Sequence, residues 1–279
     1  MDALVTTEWL ANELHATDLR IVDASYFLPD QGRKAAAEYE AAHIPGAVFM
    51  DLAEIADTTN PLPSMLPSPE KFASRMQSLG LGDGSRIVLY DNSPLHTAAR
   101  AWWMLRTFGA HDVAILDGGL AKWQAEGRPV ASGKESLRHR HFTVWADDKG
   151  VRTLDQMKAN VESGAEQVVD ARSAARFTGQ EPDPRPATMP GHIPGSKNIP
   201  YGTLFNADGS WKQGDALKAV FDDAGIDLSK PLVGTCGSGI TAAVLVFGAH
   251  LLGNEAALYD GSWSEWGADL STPKATGAA

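Results

Sequence analysis

Short apolar runs recur along this chain, separated by mixed stretches long enough for helices. In the first half, residues 19–22, 86–90 and 113–116 have strand length and predict three strands. Residues 98–108 and 120–126 predict helices between and after them. Ser68-Pro69-Glu70 predicts a helix start. The serine can cap, the proline's missing N–H costs nothing in the first turn, and the acid faces the positive end. In the second half, residues 167–169, 232–234 and 257–259 predict strands, and 240–252 a helix. Runs that are apolar throughout, rather than alternating, belong to strands covered on both faces. The expected fold is therefore α/β, with parallel sheets carrying helices on both faces.

The pattern occurs twice. Ile21-Val22-Asp23-Ala24 returns as Val168-Val169-Asp170-Ala171, 147 residues later. His43-Ile44-Pro45-Gly46 returns as His192-Ile193-Pro194-Gly195 after 149, and Asp117-Gly118-Gly119 as Asp260-Gly261-Ser262 after 143. Ordered matches at a near-constant offset predict tandem copies of one domain. The expected division is residues 1–135, a link over 136–150, and residues 151–279. Thr97-Ala98-Ala99 aligns with Thr241-Ala242-Ala243, which sets Asn92 opposite Cys236. The first copy is thus expected to keep the fold and lack the thiol.

Composition narrows the function. With 279 residues, 43% apolar and 21% charged, the chain reads as an ordinary globular protein of one or two domains. A net charge of -11 argues against a general nucleic-acid or anionic-membrane surface. No apolar run reaches the ~18 residues of a membrane span, and Met1-Asp2-Ala3-Leu4-Val5 lacks the features of a secretory signal. One cysteine permits no internal disulfide, and a cytoplasmic location is expected. Arg138-His139-Arg140-His141 has no third ligand nearby, so no metal is expected.

The single thiol carries the candidate chemistry. Cys236 follows an apolar strand run and precedes Gly237-Ser238-Gly239 and a helix. Strand, tight loop and helix aim backbone N–H groups at one point, where an anion is stabilised. A thiol there ionises more easily than a free one. A lone cysteine is otherwise a small buried hydrophobe, but such a residue has no need of flanking glycines. A Cys-x5-Arg phosphatase is excluded by Ala242 at the arginine position. A hydrolase elbow around Cys236 has Gly234 but Ser238 in place of the second glycine, leaving a thiol hydrolase as a weak alternative. Three arginines, Arg172, Arg176 and Arg185, lie near the second copy's Asp170 and the Pro-rich stretch 181–186. An arginine fork suits a carboxylate ligand, and each can equally pair with Asp170 or Asp183. Arg172 is the candidate for that structural role.

These features resemble the rhodanese-like sulfurtransferases over nearly the whole chain. The resemblance rests on His-Ile-Pro-Gly in both halves, on residues 101–106 and 116–119, and on the loop Cys236-Gly237-Ser238-Gly239-Ile240-Thr241-Ala242. The loop is similar to that of 3-mercaptopyruvate sulfurtransferases; thiosulfate sulfurtransferases usually carry basic residues after the cysteine. The resemblance implies tandem rhodanese-like domains and transfer of a sulfane sulfur through a Cys236 persulfide, with release of pyruvate and no cofactor. It implies a small anionic donor, and a small thiol, a thioredoxin-like protein or cyanide as acceptor. By position, Arg176 and Arg185 would hold the donor's carboxylate and keto oxygen, with Gly237, Gly239, Ile240 and Thr241 around it. Ser238 and His43 match a proposed Ser-His-Asp relay, although Lys34 stands where its acid is sought and Asp30 is the near candidate. Against this, both His-Ile-Pro-Gly histidines can serve turn geometry alone. A thiosulfate sulfurtransferase and a persulfide-carrying binding module with little turnover stay open.

Overall fold

The computed structural model describes residues 1–278. The chain forms two compact units. Unit 1 contains Met1–Thr58, Leu66–Asp147 and Asn206–Trp211; unit 2 contains Thr59–Met65, Asp148–Phe205 and the chain from Lys212. A single cut in the sequence therefore does not separate them. The two transferred segments begin 147 residues apart, at the offset of the repeat itself.

Unit 1 holds a five-stranded sheet of β1 (Leu4–Val5), β2 (Leu19–Asp23), β3 (Ala47–Phe49), β4 (Arg86–Tyr90) and β5 (Val113–Leu116). Unit 2 holds β6 (Val151–Arg152), β7 (Gln167–Asp170), β8 (Lys197–Asn198), β9 (Leu232–Thr235) and β10 (Ala256–Tyr259). The orders are β1-β5-β4-β2-β3 and β6-β10-β9-β7-β8, the same topology twice. All pairings are parallel. Each central strand is nearly all buried, as its apolar run requires.

The expected helices form with ends displaced by one or two residues, at Ala98–Thr107, Gly119–Ala125 and Ala242–Leu251. Ser68 caps Pro69–Ser78 by accepting from the Lys71 N–H at 3.2 Å. Helix Ala242–Leu251 is apolar on every side, and eight of its residues are buried. Gly234 lets it lie close against β9: a Cβ there would stand 3.2 Å from the Ala242 carbonyl oxygen. Unit 1 packs Ile44, Val88, Tyr90 and Trp123 into its core; unit 2 packs Val168, Ile193, Val233, Trp263 and Trp266.

Most of the stretch expected as a link belongs to unit 1. His141 O accepts from the Asp83 N–H at 2.9 Å, and Asp83 accepts from the Thr143 N–H at 2.8 Å. Gly80 and Gly82 leave room for residues 137–141, since a Cβ at either would strike backbone and side-chain atoms there.

Candidate active site

The site is built at the carboxyl end of β9, the usual place for ligands of parallel sheets. Cys236 is the first residue past the strand and is 2% exposed. The chain then turns through Gly237, Ser238, Gly239 and Ile240 to Thr241, which precedes the buried helix. Gly239 has φ +77°, a left-handed conformation that a side chain would strain. Ser238 is buried in the same turn.

A second segment pins this loop from below. The Cys236 N–H donates to Ser262 Oγ at 3.2 Å, and Ser262 Oγ donates to the Tyr259 carbonyl at 2.8 Å. The Trp263 N–H donates to the Cys236 carbonyl at 3.0 Å, and the Ser264 N–H to the Gly237 carbonyl at 2.9 Å. Ser264 Oγ donates to that same Gly237 carbonyl. Ser262 itself has φ +50°, a strained value for a residue with a side chain. The sequence marked residues 260–262 only as a repeat signature; their support of the thiol loop depends on contacts 26 and 27 residues away.

The arginines come from the β7 side of unit 2. Ser173 caps helix Ala174–Thr178, which carries Arg176. Arg185 lies in the following loop. Their guanidinium groups meet over the cysteine loop: a Cβ on Gly237 would lie 3.1 Å from both terminal nitrogens of Arg185 and 3.4 Å from Nη2 of Arg176. A side chain there would press both forks outward by a few tenths of an ångström. Asp183 sits between them, accepting from Arg176 Nη2 at 2.5 Å and from Arg185 Nη1 at 3.1 Å. It also accepts from the Arg185 N–H at 3.0 Å. Burial pushes the Asp183 carboxyl up, but the Arg185 N–H, the Arg176 hydrogen bond and both positive charges outweigh it and hold the group below its ordinary range. Arg176 Nε is buried without a hydrogen-bond partner among the described residues.

Arg172 does not join the pair. It forms a buried ion pair with Asp170 at 2.7 Å, donates to the Gly191 carbonyl at 2.7 Å and stacks over Trp263. Tyr201, a residue the sequence did not single out, is also near the thiol. Burial and then the charge of Cys236 raise its phenol above the ordinary value.

His43 lies in unit 1 and is fully buried. Its Nδ1 is 2.8 Å from the Tyr39 carbonyl, and its ring stacks on Tyr39 at 4.3 Å. His192 repeats this in unit 2, with Nδ1 2.8 Å from the Phe177 carbonyl and its ring 3.8 Å from Phe177. The Nδ1 contacts of the two histidines are alike, but His43 Nε2 is buried without a partner among the described residues. Asp30 is exposed in a short 3-10 turn, Pro29–Gln31. The acid that senses His43 is instead the buried Asp23, raised by burial and lowered in part by Ser25, Tyr90 and His43.

The corresponding loop of unit 1 lacks the chemistry. Asn92 takes the cysteine position, and its N–H donates to Ser25 Oγ at 2.8 Å. The Asp91 carboxyl accepts from the Ser93 N–H at 3.0 Å and from the Ala98 N–H at 2.7 Å. A side chain of the loop itself thus occupies its donors. In unit 2 the same position is Thr235, whose hydroxyl is buried without a partner among the described residues. A cleft of about 240 Å³ opens beside Asn92, His96 and Trp211 of unit 1, but no thiol faces it.

A sequence profile of the rhodanese-like domain matches residues 6–126 and 153–269. Among characterised proteins, the chain is similar to 3-mercaptopyruvate sulfurtransferase of Homo sapiens, 44% identical over 271 residues that cover 95% of this chain and 91% of that one. It is also similar to thiosulfate sulfurtransferase of Cricetulus griseus, 40% identical with coverage of 95% and 91%. The crystal structure of a 3-mercaptopyruvate sulfotransferase from Escherichia coli superposes with a TM-score of 0.87 at 39% identity, covering 95% of this chain and all of that one.

Proposed function

From a chain that belongs to the rhodanese-like family through two such domains, we propose a sulfurtransferase that takes its sulfur from 3-mercaptopyruvate and carries it as a persulfide on Cys236. The Cys236 thiolate attacks the donor's sulfur. The carbon–sulfur bond breaks, its electron pair passes to the enolate of pyruvate, and the enolate takes a proton. Cys236 keeps the sulfur as a persulfide. An acceptor thiolate or cyanide then attacks the outer sulfur and returns the thiolate, a ping-pong cycle.

The single observation that carries this reading is the pair of guanidinium forks over Gly237, beside the thiol. Arg176 and Arg185 bind the carboxylate and the keto oxygen, where charge grows as the enolate forms. The turn of Gly237, Gly239, Ile240 and Thr241 shelters the thiolate and persulfide. Ser238 serves the proton step, with Tyr201 nearby. His43 keeps a candidate proton role through Nε2, which is buried without a partner among the described residues while Nδ1 is held at the Tyr39 carbonyl.

The acceptor is a small thiol or a thioredoxin-like protein. The enzyme works in the cytoplasm, where its lone cysteine stays reduced; among the described residues no helix is long and apolar enough to cross a membrane. Thiosulfate is the alternative donor, supported by the Cricetulus griseus relative.

Intact mass after brief exposure to each donor tests the reading, with Cys236→Ser as control. One sulfur gained from 3-mercaptopyruvate, removed by a thiol and absent in the control, is the expected result. Gain from thiosulfate alone would favour the second donor. A sulfur that no small thiol removes would point to a carrier module, and no gain from either donor would overturn sulfur transfer.

A further inference from the structure

The carboxylate between the two arginines has a role that the transfer reaction alone does not require. The Asp183 side chain is 1% exposed, whereas those of Arg176 and Arg185 are 22% and 27% exposed. One carboxylate oxygen takes the Arg185 N–H and Nη1; the other takes Arg176 Nη2. The acid therefore orients both forks from behind while leaving them partly open. The neighbouring turn, Gly237-Ser238-Gly239-Ile240, contributes no charge. With the Cys236 thiolate counted, two cations and two anions leave the site neutral, and removal of Asp183 would leave it one net positive charge.

Resting on the function proposed above, we propose that Asp183 is a positioning and specificity-determining residue that fits the site to singly charged 2-oxo acid thiols and against dianionic sulfur donors. A monoanion brings one negative charge to a site that is neutral with its thiolate. A dianion of the thiosulfate type brings two, and in a partly desolvated pocket the larger excess is weakly screened. Preference then arises from repulsion of the wrong donor as much as from attraction of the right one.

Asp183→Asn removes the charge and keeps an oxygen for the Arg185 N–H. Values of kcat/KM for 3-mercaptopyruvate and thiosulfate, at low and high ionic strength, give the donor ratio. The expected result is a shift toward thiosulfate of roughly tenfold or more, carried mainly by a lower KM for thiosulfate and changed little by added salt, since a buried charge is weakly screened. Asp183→Glu, with the charge restored, is expected to keep the ratio of the parent. An equal fall with both donors in Asp183→Asn would mean a merely structural role and would overturn the proposal, as would a shifted ratio in Asp183→Glu.

A second readout does not depend on turnover. Pyruvate and sulfate are compared as protectants of Cys236 against alkylation, with folding of each variant checked by circular dichroism. Pyruvate is expected to protect the parent and Asp183→Glu better than sulfate does, and sulfate to gain in Asp183→Asn. If neither donor is turned over, the transfer reading fails while this ordering still decides the role of Asp183. An ordering that stays the same in all three proteins overturns it.

Discussion

Asp170 and Arg172 face each other across a single intervening residue, and their side chains are 1% and 2% exposed. Arg172 also braces Trp263, whose N–H holds the Cys236 carbonyl. The pair thus ties the end of β7 to the floor of the thiol loop. Arg172→Leu leaves the Asp170 carboxylate buried without its cation, which costs on the order of 3–5 kcal/mol. Urea denaturation of the two proteins measures this; a loss below about 1 kcal/mol would contradict the assigned role.

The partly exposed pair, Arg176 and Arg185, behaves differently. Arg185→Lys keeps the charge and loses the planar fork. Removing hydrogen bonds to a charged ligand costs about 1.5–3 kcal/mol, or roughly 10- to 150-fold in kcat/KM for 3-mercaptopyruvate. Most of the change is expected in KM, with melting temperature nearly unaltered. Steady-state kinetics beside a thermal melt separates this from a folding defect.

Ser262→Ala removes the acceptor of the Cys236 N–H. A buried donor left unmet costs about 1–3 kcal/mol, and here the disturbed group is the backbone of the nucleophile. Sulfur loading of Cys236, followed by rapid-quench mass measurement, is expected to slow about tenfold or more. An unchanged loading rate would show that the 262–264 segment supports the fold and not the thiol.

Burial pushes the Asp91 carboxyl up to about 7 against the bonds from Ala98 and Ser93, with Asp23 adding to the rise. Its unfolded value is about 3.9, so between those limits the folded chain holds a proton that the unfolded chain has released. The contribution of Asp91 to stability is therefore greatest at acid pH and declines as pH rises toward 7, by at most about 1.4 kcal/mol per pH unit. Asp91→Asn abolishes that decline. Denaturant unfolding at pH 5 and pH 7.5 should show the parent losing more stability across the interval than the variant, and parallel behaviour would refute the assignment.

The six interior strands of the two sheets were legible because each is a largely apolar run. The edge strands were not: β1, β6 and β8 have two residues each, and Lys197-Asn198 carries no strand signal without its partner Val169-Asp170. Cys236 and its glycines could be read directly, since their spacing is local. The arginine pair needed the family resemblance, because nothing in the spacing of 176 and 185 says that both meet at Gly237. Asp183 was visible as a salt-bridge partner, but its position between two forks depends on a loop path that sequence does not encode locally. The serines at 262 and 264 escaped notice because their bonds go to backbone atoms. The exchange of residues 59–65 and 206–211 between units left no mark on composition at all.

The filled loop of unit 1 bears on how a duplicated domain ages. Restoring a thiol at position 92 by one substitution returns no reaction, for the Asp91 carboxyl already holds the donors at Ser93 and Ala98. Pro94, opposite Ser238, offers no N–H, and Pro29 and Glu38 stand at the repeat offset from Arg176 and Arg185. Each repair alone is invisible to selection, and removing Asp91 costs the helix start an acceptor before anything is gained. The loop of unit 1 is thus closed by its own hydrogen bonds, so a thiol placed at position 92 would meet donors that are already taken.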